Sequence, residues 1–424
     1  MTVIELREHA QPIELQLDDA IGRALAASSI VEASPDPFVP GLWRLSAGRY
    51  VGSATVTAPD VTGRTVNAVT LRIVPKVSIS RLFFLLGYAL NPRGWREDQI
   101  DLAEQTDLLP ALAHAFERQT DRALRQGLLQ GYQRTEERAW VVRGRLREAE
   151  QLRRRFGAAL PVEIEYDEFT TATPENQILR AAVERMLRVP SIPAPSRRRL
   201  LHQRARLQDA SPLARGVKSL PKWSPSRLNT RYIPALRLAE IILRSGSVEH
   251  DLGAVRVDGF LFDMPKIFED FVTVAIREQL TFDPADAAGT VRLQARHHLD
   301  EADTVLLKPD LVWYDASRSP LAVVDAKYKA EKPDGFPGAD LYQLLAYCTV
   351  LGLPEGHLVY AKGNALHADH VVRNADIRIH QHALDLQQPP DAILDHVASI
   401  ARQCEGRVLQ PARASELRAR RPSL

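Results

Sequence analysis

The feature of this sequence that most constrains its fold is a pair of acidic residues, each inside an apolar run of strand-forming residues. The stretch LLKPDLVWYDASRSPLAVVDAKYK, residues 306–329, has Asp310 in its first run and Asp325 in its second, with Lys327 two positions later. Burying a carboxylate among apolar side chains costs free energy unless a cation or hydrogen-bond donors compensate it. The two runs therefore predict neighbouring strands that meet around a positively charged group.

The segment between the two runs indicates how the strands are joined. DASRSP, residues 315–320, is rich in the Ser, Asp and Pro that form tight turns, so we expect an antiparallel hairpin. Side chains alternate along a strand, which puts Asp325 and Lys327 on one face. A hairpin symmetric about the middle of this turn puts Asp310 opposite Asp325, whereas a shift of one residue would turn one carboxylate to the other face.

Two adjacent carboxylates and an ammonium form a set that suits phosphodiester hydrolysis. Each carboxylate raises the pKa of the other unless a cation neutralises them. Hard oxygen ligands suit Mg²⁺, with Mn²⁺ as a substitute. Such an ion activates water and stabilises charge on a phosphoryl oxygen, and a lysine such as Lys327 orients the water or stabilises the developing charge. The spacing alone leaves open the alternative of a salt-bridged pair at a strand edge.

Residues of the two flanking helices extend this set. Glu269 lies on the same stripe as Val272 and Ile276, so it points partly inward, although a surface acid is the alternative. Gln343 and Tyr347 lie one turn apart in the helix that follows the strands, close enough in sequence to cover the site.

The 424 residues, 45% of them hydrophobic, are enough for two or three domains. We expect an α/β protein with a β-rich N-terminal domain over residues 1–100 and a helical middle region over residues 101–250. Helix, strand, strand, helix and strand then follow one another over residues 251–410, an order that predicts a mixed sheet flanked by helices. Residues 411–424 form a basic tail.

Several elements have distinct signals. The apolar run Ile79–Leu90 predicts a helix, and Thr173 followed by Pro174 predicts the start of another, with Thr173 as its N-cap.

The charge of the chain limits how it can bind nucleic acid. The formal net charge is only +2, so such binding depends on local basic patches. These patches lie at Arg153–Phe156, Ser196–Arg206 and Arg418–Arg421, with solvated helix faces and a frayed tail as the alternative.

The two cysteines, Cys348 and Cys404, provide neither a disulfide framework nor zinc-ligand spacing. The N-terminus lacks the pattern of a secretory signal, and no apolar run approaches the roughly 18 residues of a membrane span. We therefore expect a soluble cytoplasmic protein that does not contact a membrane.

The order helix acid, Asp, D-A-K and Q-x-x-x-Y resembles the PD-(D/E)XK nuclease superfamily in its RecB-like variant. Over most of its length the chain resembles the McrC family, the nuclease subunits of McrBC-type modification-dependent restriction systems. The stretches that carry this resemblance are collinear from about residue 72 to 329 and are RIVPKVSISRLFFLLGYAL, GYQRTEERAWVVRGRL, EYDEFTTATPENQILRAAV, RYIPALRLAEIIL, FDMPKIFEDFV, LKPDLVW and VDAKYK.

The resemblance implies a role for each candidate residue and a PD-(D/E)XK-type fold for residues 251–410. It implies that the acids take part in catalysis and bind metal, that one lysine is catalytic, and that a Gln–Tyr pair positions DNA. The matching residues are Asp310, Asp325 and Glu269 for the metal, Lys327 for catalysis, Gln343 and Tyr347 for DNA, and Lys329 as an ancillary residue.

The resemblance also implies a partner, a McrB-like AAA+ GTPase hexamer that reads and translocates modified double-stranded DNA and is stimulated by the McrC-like subunit. Residues 1–100, with part of the helical region, are expected to engage this ring. The sequence departs from the family at Ala172, where an acid is frequent, and at Gln177, where Arg is frequent. The insert at residues 191–226 and the basic tail are particular to this chain.

The sequence therefore predicts a Mg²⁺-dependent DNA endonuclease subunit of a restriction system for antiviral defence. One alternative is a non-catalytic subunit that assembles and stimulates the AAA+ ring, against which the complete set of two acids and a lysine argues. A second is a RecB-like nuclease that acts alone on DNA ends, which the long non-nuclease half disfavours.

Overall fold

Two separate parts of the chain, Met1–Asp98 and Val248–Leu424, fold together into one unit, and Gln99–Ser247 forms a second. The computed structural model describes residues 2–59, 66–90, 92, 108–155, 160–189, 192–213, 220–244, 250–252, 255–280, 289–330, 338–362 and 367–405. The basic tail at residues 411–424 lies outside this description. The first and third regions of the sequence thus share one unit.

The first region is rich in strands, as its alternating sequence predicts. The helix expected over Ile79–Leu90 is present with these bounds. Another helix, Asp19–Ser28, has no counterpart in the sequence analysis; the Asp18 side chain caps it by accepting the Ala20 N–H at 2.8 Å. The elements are β1 (Thr2–Arg7), β2 (Ile13–Gln16), α1 (Asp19–Ser28), β3 (Val31–Pro35), β4 (Leu42–Ala47), β5 (Tyr50–Pro59), β6 (Val66–Val74) and α2 (Ile79–Leu90).

The middle region combines helices with a small sheet. Thr173 caps its helix as expected, because its side chain accepts the Asn176 N–H at 3.4 Å and Pro174 takes the first helical position. The strands pair antiparallel in the order β7-β9-β8. The elements are α3 (Leu108–Leu124), β7 (Gly131–Ala139), β8 (Arg145–Leu146), α4 (Glu148–Arg155), β9 (Val162–Thr170), α5 (Pro174–Arg188), α6 (Ala194–Arg206) and α7 (Ile233–Arg244).

The third region alternates strands and helices. Five of its strands, β10 to β13 and β18, and its last helix, α10, were not anticipated from the sequence. The elements are β10 (His250–Leu252), β11 (Val255–Asp263), α8 (Met264–Leu280), β12 (Thr290–Leu293), β13 (His297–His298), β14 (Leu306–Leu307), β15 (Leu311–Tyr314), β16 (Pro320–Ala330), α9 (Gly338–Leu351), β17 (Glu355–Lys362), β18 (His367–Val371), β19 (Arg378–Ala383) and α10 (Pro390–Glu405).

Two strands of the third region, β10 and β11, belong to the sheet of the first. The sheet order is β1-β6-β5-β11-β10, and β11 pairs antiparallel with β5 so that Phe260 lies opposite Ser53. The strands approach closely at Gly52, whose φ is +125° and where an added Cβ would lie 2.3 Å from the Phe260 carbonyl oxygen. This pairing explains why the two ends of the chain form one unit.

Six strands of the third region form the mixed sheet that the sequence predicts, in the order β12-β15-β16-β17-β19-β18. Strands β12, β15 and β16 pair antiparallel, and β16, β17 and β19 pair parallel. Helix α9 covers one face, where Leu344, Tyr347 and Cys348 form a buried cluster with Val323. Helix α8 contacts the other face, where the Phe268 ring lies 5.8 Å from that of Tyr328. The central strand β16 is thereby fixed on both faces.

Candidate active site

The hairpin β15–β16 has the expected register next to the two aspartates, although the pairing shifts between Trp313 and Tyr314 near the turn. Leu311 lies opposite Val324 and Val312 opposite Val323, so the next position brings Asp310 opposite Asp325. The predicted first strand is interrupted, however, because Pro309 has no N–H to donate to a ladder, and β15 begins only at Leu311. Asp310 therefore lies at the mouth of the hairpin rather than inside a strand.

The two carboxylates are buried side by side. Asp310 is 8% exposed and Asp325 is 1% exposed. The backbone N–H of Ala326 donates to Asp310 Oδ2 at 2.9 Å, which links the two strands at the site. Burial, followed by the negative charge of Asp325, raises the pKa of Asp310 above its ordinary range. Without a cation, the pair therefore favours holding a proton.

Lys327 supplies the positive charge that the apolar strands were expected to require. Its Nζ lies 2.6 Å from Asp325 Oδ2, and both side chains are largely buried. Burial opposes the charge of the ammonium, but the adjacent carboxylates, Asp325 and then Asp310, outweigh it and raise the pKa of Lys327. The lysine therefore stays charged beside the acids at neutral pH.

Helix α9 provides the wall of the site. The Gln343 side chain is exposed and its Nε2 donates to the Tyr347 hydroxyl at 2.7 Å. Tyr347 is 3% exposed, and burial, then the charge of Asp325, raises the pKa of its hydroxyl. The predicted pair thus joins a solvent-facing amide to a hydroxyl that lies near the carboxylates.

Glu269 on α8, expected as a third metal ligand, reaches Asp310 through another residue instead. Nε2 of Gln294, just after β12, donates to Glu269 Oε1 and also to Asp310 Oδ1, the latter at 3.1 Å. Lys266 Nζ donates to the same Glu269 oxygen at 3.1 Å. Glu269 is therefore connected to the site but already has two donors.

The two aspartates fit a hard divalent ion. Asp325 Oδ2 is buried and lies 2.6 Å from the Lys327 ammonium. Within the described parts of the chain, no group of three or more His, Cys, Asp and Glu side chains could hold a metal. Mg²⁺ typically keeps several waters and takes one or two carboxylates, so Asp310 and Asp325 suffice.

Two residues at the site were missed by the sequence analysis. Gln294 lies in a stretch, VRLQARHH, that has no catalytic spacing, so no sequence signal identifies it. Asp340 is 4% exposed and accepts a hydrogen bond from the Tyr360 hydroxyl at 3.2 Å. It precedes Gln343 by three residues and Tyr347 by seven on one stripe of α9, a spacing that could have revealed it.

Some arginines of the basic patches have contacts within the chain where they are described. Arg153 and Arg154 both contact Glu150, at 2.8 and 3.0 Å. On α6, Arg206 donates to the Leu124 carbonyl oxygen. The patch Arg418–Arg421 and the side chain of Lys329 lie outside the described residues.

The comparisons with known proteins identify the family of the chain. The family described as McrBC 5-methylcytosine restriction system component matches residues 45–361, most of the chain. Among curated proteins, none matches. In the described parts of the chain, no helix is both long and apolar enough to span a membrane.

Two solved structures are similar to the chain. One is a refined half-complex from a tetradecameric assembly of Thermococcus gammatolerans McrB AAA+ hexamers with bound McrC, with 18% identity and a TM-score of 0.55 over 94% of this chain and 99% of that chain. The other is a cryo-EM structure of the Thermococcus gammatolerans McrBC complex, with 20% identity and a TM-score of 0.40 over 66% of this chain and 88% of that chain. The first supports the mixed α/β fold.

Proposed function

We propose, on the premise that the chain belongs to the family of McrBC 5-methylcytosine restriction system components, that it is the subunit that cuts DNA. The reaction is hydrolysis of a phosphodiester bond with Mg²⁺, for which Mn²⁺ can substitute. The observation that carries the proposal is the pair of buried carboxylates, Asp310 at 8% and Asp325 at 1% exposed, beside the Lys327 ammonium. A buried acid of this kind, next to a second acid and a lysine, suits a cation-dependent reaction better than a structural ion pair.

Each residue of the site has its own role in the proposed reaction. Asp310 and Asp325 would hold the divalent ion, which when bound supplies an activated water and charge stabilisation for a phosphoryl oxygen. Lys327 lies beside Asp325, so its ammonium can orient the attacking water and stabilise the charge that develops on the phosphate. Gln343 offers its exposed amide to the DNA backbone and holds the Tyr347 hydroxyl near the acids. Glu269 acts through Gln294 on the orientation of Asp310.

The proposal includes a partner, a McrB-like AAA+ GTPase hexamer. In the Thermococcus gammatolerans assembly, McrC is bound to McrB AAA+ hexamers. By analogy, the chain stimulates GTP hydrolysis by such a ring, and the ring brings modified double-stranded DNA to the nuclease. The use of only two cysteines, both free and buried, agrees with a cytoplasmic location for this system.

The test is cleavage of DNA carrying 5-methylcytosine by Asp325→Asn in the presence of the partner, GTP and Mg²⁺. We expect cleavage to fall at least about 100-fold, with partner binding and GTPase stimulation unchanged. The matched control is Asp395→Asn, which removes an exposed carboxylate of the same region. Cleavage by D325N at the wild-type rate would show that the site is wrongly assigned.

The same assay separates the alternative functions. A non-catalytic assembly subunit would stimulate the GTPase and leave every DNA substrate intact, even as the wild-type chain. A nuclease that acts alone would cut DNA ends at full rate without partner and GTP. Either result would replace the proposal.

A further inference from the structure

Gln294 is held in an unusual backbone conformation beside the two aspartates. Its φ is +52°, in the left-handed region that non-glycine residues rarely adopt. Its backbone N–H donates to the Asp310 carbonyl oxygen at 3.0 Å. Strained backbone of this kind persists where the surrounding structure fixes it, and such positions cluster at functional sites. The conformation directs the Gln294 side chain to the carboxylates.

The Gln294 amide lies between two carboxylates that belong to different elements. Nε2 donates to Glu269 Oε1 on α8 and to Asp310 Oδ1 at the mouth of the hairpin. A neutral NH₂ group therefore lies between two carboxylates, in the position that a bridging cation would take in a two-ion site. Lys266 Nζ is the second donor to the same Glu269 oxygen, at 3.1 Å.

The side of Asp310 that faces Asp325 is different. Asp325 Oδ2 lies 2.6 Å from the Lys327 ammonium. Asp310 Oδ2 accepts the Ala326 backbone N–H at 2.9 Å and keeps a second lone pair for an ion shared with Asp325, whereas Oδ1 accepts the Gln294 side-chain amide. One cation can therefore bind between Asp310 and Asp325, whereas the Gln294 amide occupies the position between Asp310 and Glu269.

We propose that Gln294 limits this site to one divalent ion per chain, by filling with its amide the position in which a second ion would bridge Asp310 and Glu269. The inference rests on the proposed metal-dependent function and goes beyond it by fixing the number of ions. Glutamate has the size of glutamine but adds an acceptor and removes both donors. Gln294→Glu would therefore convert the filled position into a set of three carboxylates.

The experiment is a calorimetric titration of the metal-free full-length chain with Mn²⁺. We expect one Mn²⁺ per chain for the wild type, none for Asp325→Asn, and two for Gln294→Glu. The matched control is Gln388→Glu, because Gln388 is exposed and its Nε2 also donates to a carboxylate, Asp385 Oδ2, at 3.0 Å. This control is expected to bind one ion, as the wild type does.

The possible results distinguish the role of Gln294 from the existence of the metal site. The role of Gln294 is wrong if the wild-type chain binds two ions. It is also wrong if Gln294→Glu binds one ion while its thermal unfolding midpoint equals that of the wild type. Either result leaves the nuclease proposal standing. No Mn²⁺ bound by the wild type overturns the metal site itself and this inference with it. Should Q294E fail to fold, Gln294→Gly serves instead, since glycine adopts the positive φ of this position and removes the amide that fills it, and it is also expected to bind a second ion.

Discussion

The Tyr328 hydroxyl donates a hydrogen bond of 3.3 Å to Glu8 Oε2, across 320 residues of sequence. Glu8 is 1% exposed and also accepts the Lys76 N–H at 2.9 Å. Burial, and then the charge of Glu8, raises the pKa of Tyr328, so the hydroxyl remains a donor at neutral pH. Since Tyr328 follows Lys327 on β16, this contact ties the first region of the chain to the strand that carries the proposed catalytic residues.

Tyr328→Phe removes this donor and leaves the buried Glu8 carboxyl with fewer partners. We expect the free energy of unfolding to fall by about 1–2 kcal/mol, the cost of an unmade buried hydrogen bond. Urea denaturation at pH 7 measures it. The control is Tyr342→Phe, because the Tyr342 side chain is 72% exposed and its hydroxyl is free to bond with water. Equal stabilities of the two variants would show that the contact with Glu8 contributes nothing.

Asp310→Asn is expected to stabilise the metal-free protein at neutral pH. Burial and the charge of Asp325 raise the pKa of Asp310 in the folded state, so the folded chain binds a proton at Asp310 more tightly than the unfolded chain does. The wild type therefore loses stability as the pH rises above about 4. Asparagine has no charge to bury, so the stability of D310N relative to the wild type should increase with pH, by about 1–3 kcal/mol at pH 8.

Thermal unfolding of both proteins in EDTA from pH 5 to pH 8 measures this difference. Added Mg²⁺ should raise the unfolding midpoint of the wild type, because an ion that binds only the folded state stabilises it. It should not raise that of D310N. A constant difference between the two proteins across the pH range would contradict the raised pKa.

Lys327→Ala should abolish most cleavage while the two acids remain. We expect the single-turnover rate at saturating Mg²⁺ to fall roughly 10²–10³-fold, the usual loss when one charge-stabilising group is removed. Mn²⁺ binding should persist, since Asp310 and Asp325 are unchanged and have lost a competing cation. The control is Lys222→Ala, an exposed lysine of the middle region. Loss of Mn²⁺ binding in K327A would indicate a structural rather than a catalytic lysine.

Gln343→Ala tests whether α9 contacts DNA. The Gln343 side chain is exposed but donates to the buried Tyr347 hydroxyl, so its loss should lower the free energy of unfolding by about 0.5–1.5 kcal/mol. Loss of one hydrogen bond to a charged phosphate should weaken DNA binding about tenfold. Fluorescence anisotropy with Ca²⁺ in place of Mg²⁺ measures the affinity without cleavage. Unchanged affinity would leave Gln343 only its contact with the Tyr347 hydroxyl.

The predictable part of the fold and the site lies within short segments of sequence. Helix α2 has the expected bounds because its apolar run is uninterrupted, and Thr173 starts α5 because a cap is a local interaction. Helix α1 was overlooked, since its sequence, DAIGRALAAS, is short and stands among strand patterns. The pairing of β11 with β5 joins residues about 200 positions apart, and no local pattern specifies such a partner.

The sequence by itself determined that Asp325 and Lys327 share a face, because side chains alternate along a strand. It did not fix the register that brings Asp310 opposite Asp325, because the pairing shifts between Trp313 and Tyr314. Only the tertiary structure decided that Gln294 stands between Glu269 and Asp310 and that Glu8 reaches Tyr328. These contacts depend on how separate elements pack against one another. Packing is set by the shapes and volumes of many side chains together, so no single stretch of sequence specifies it.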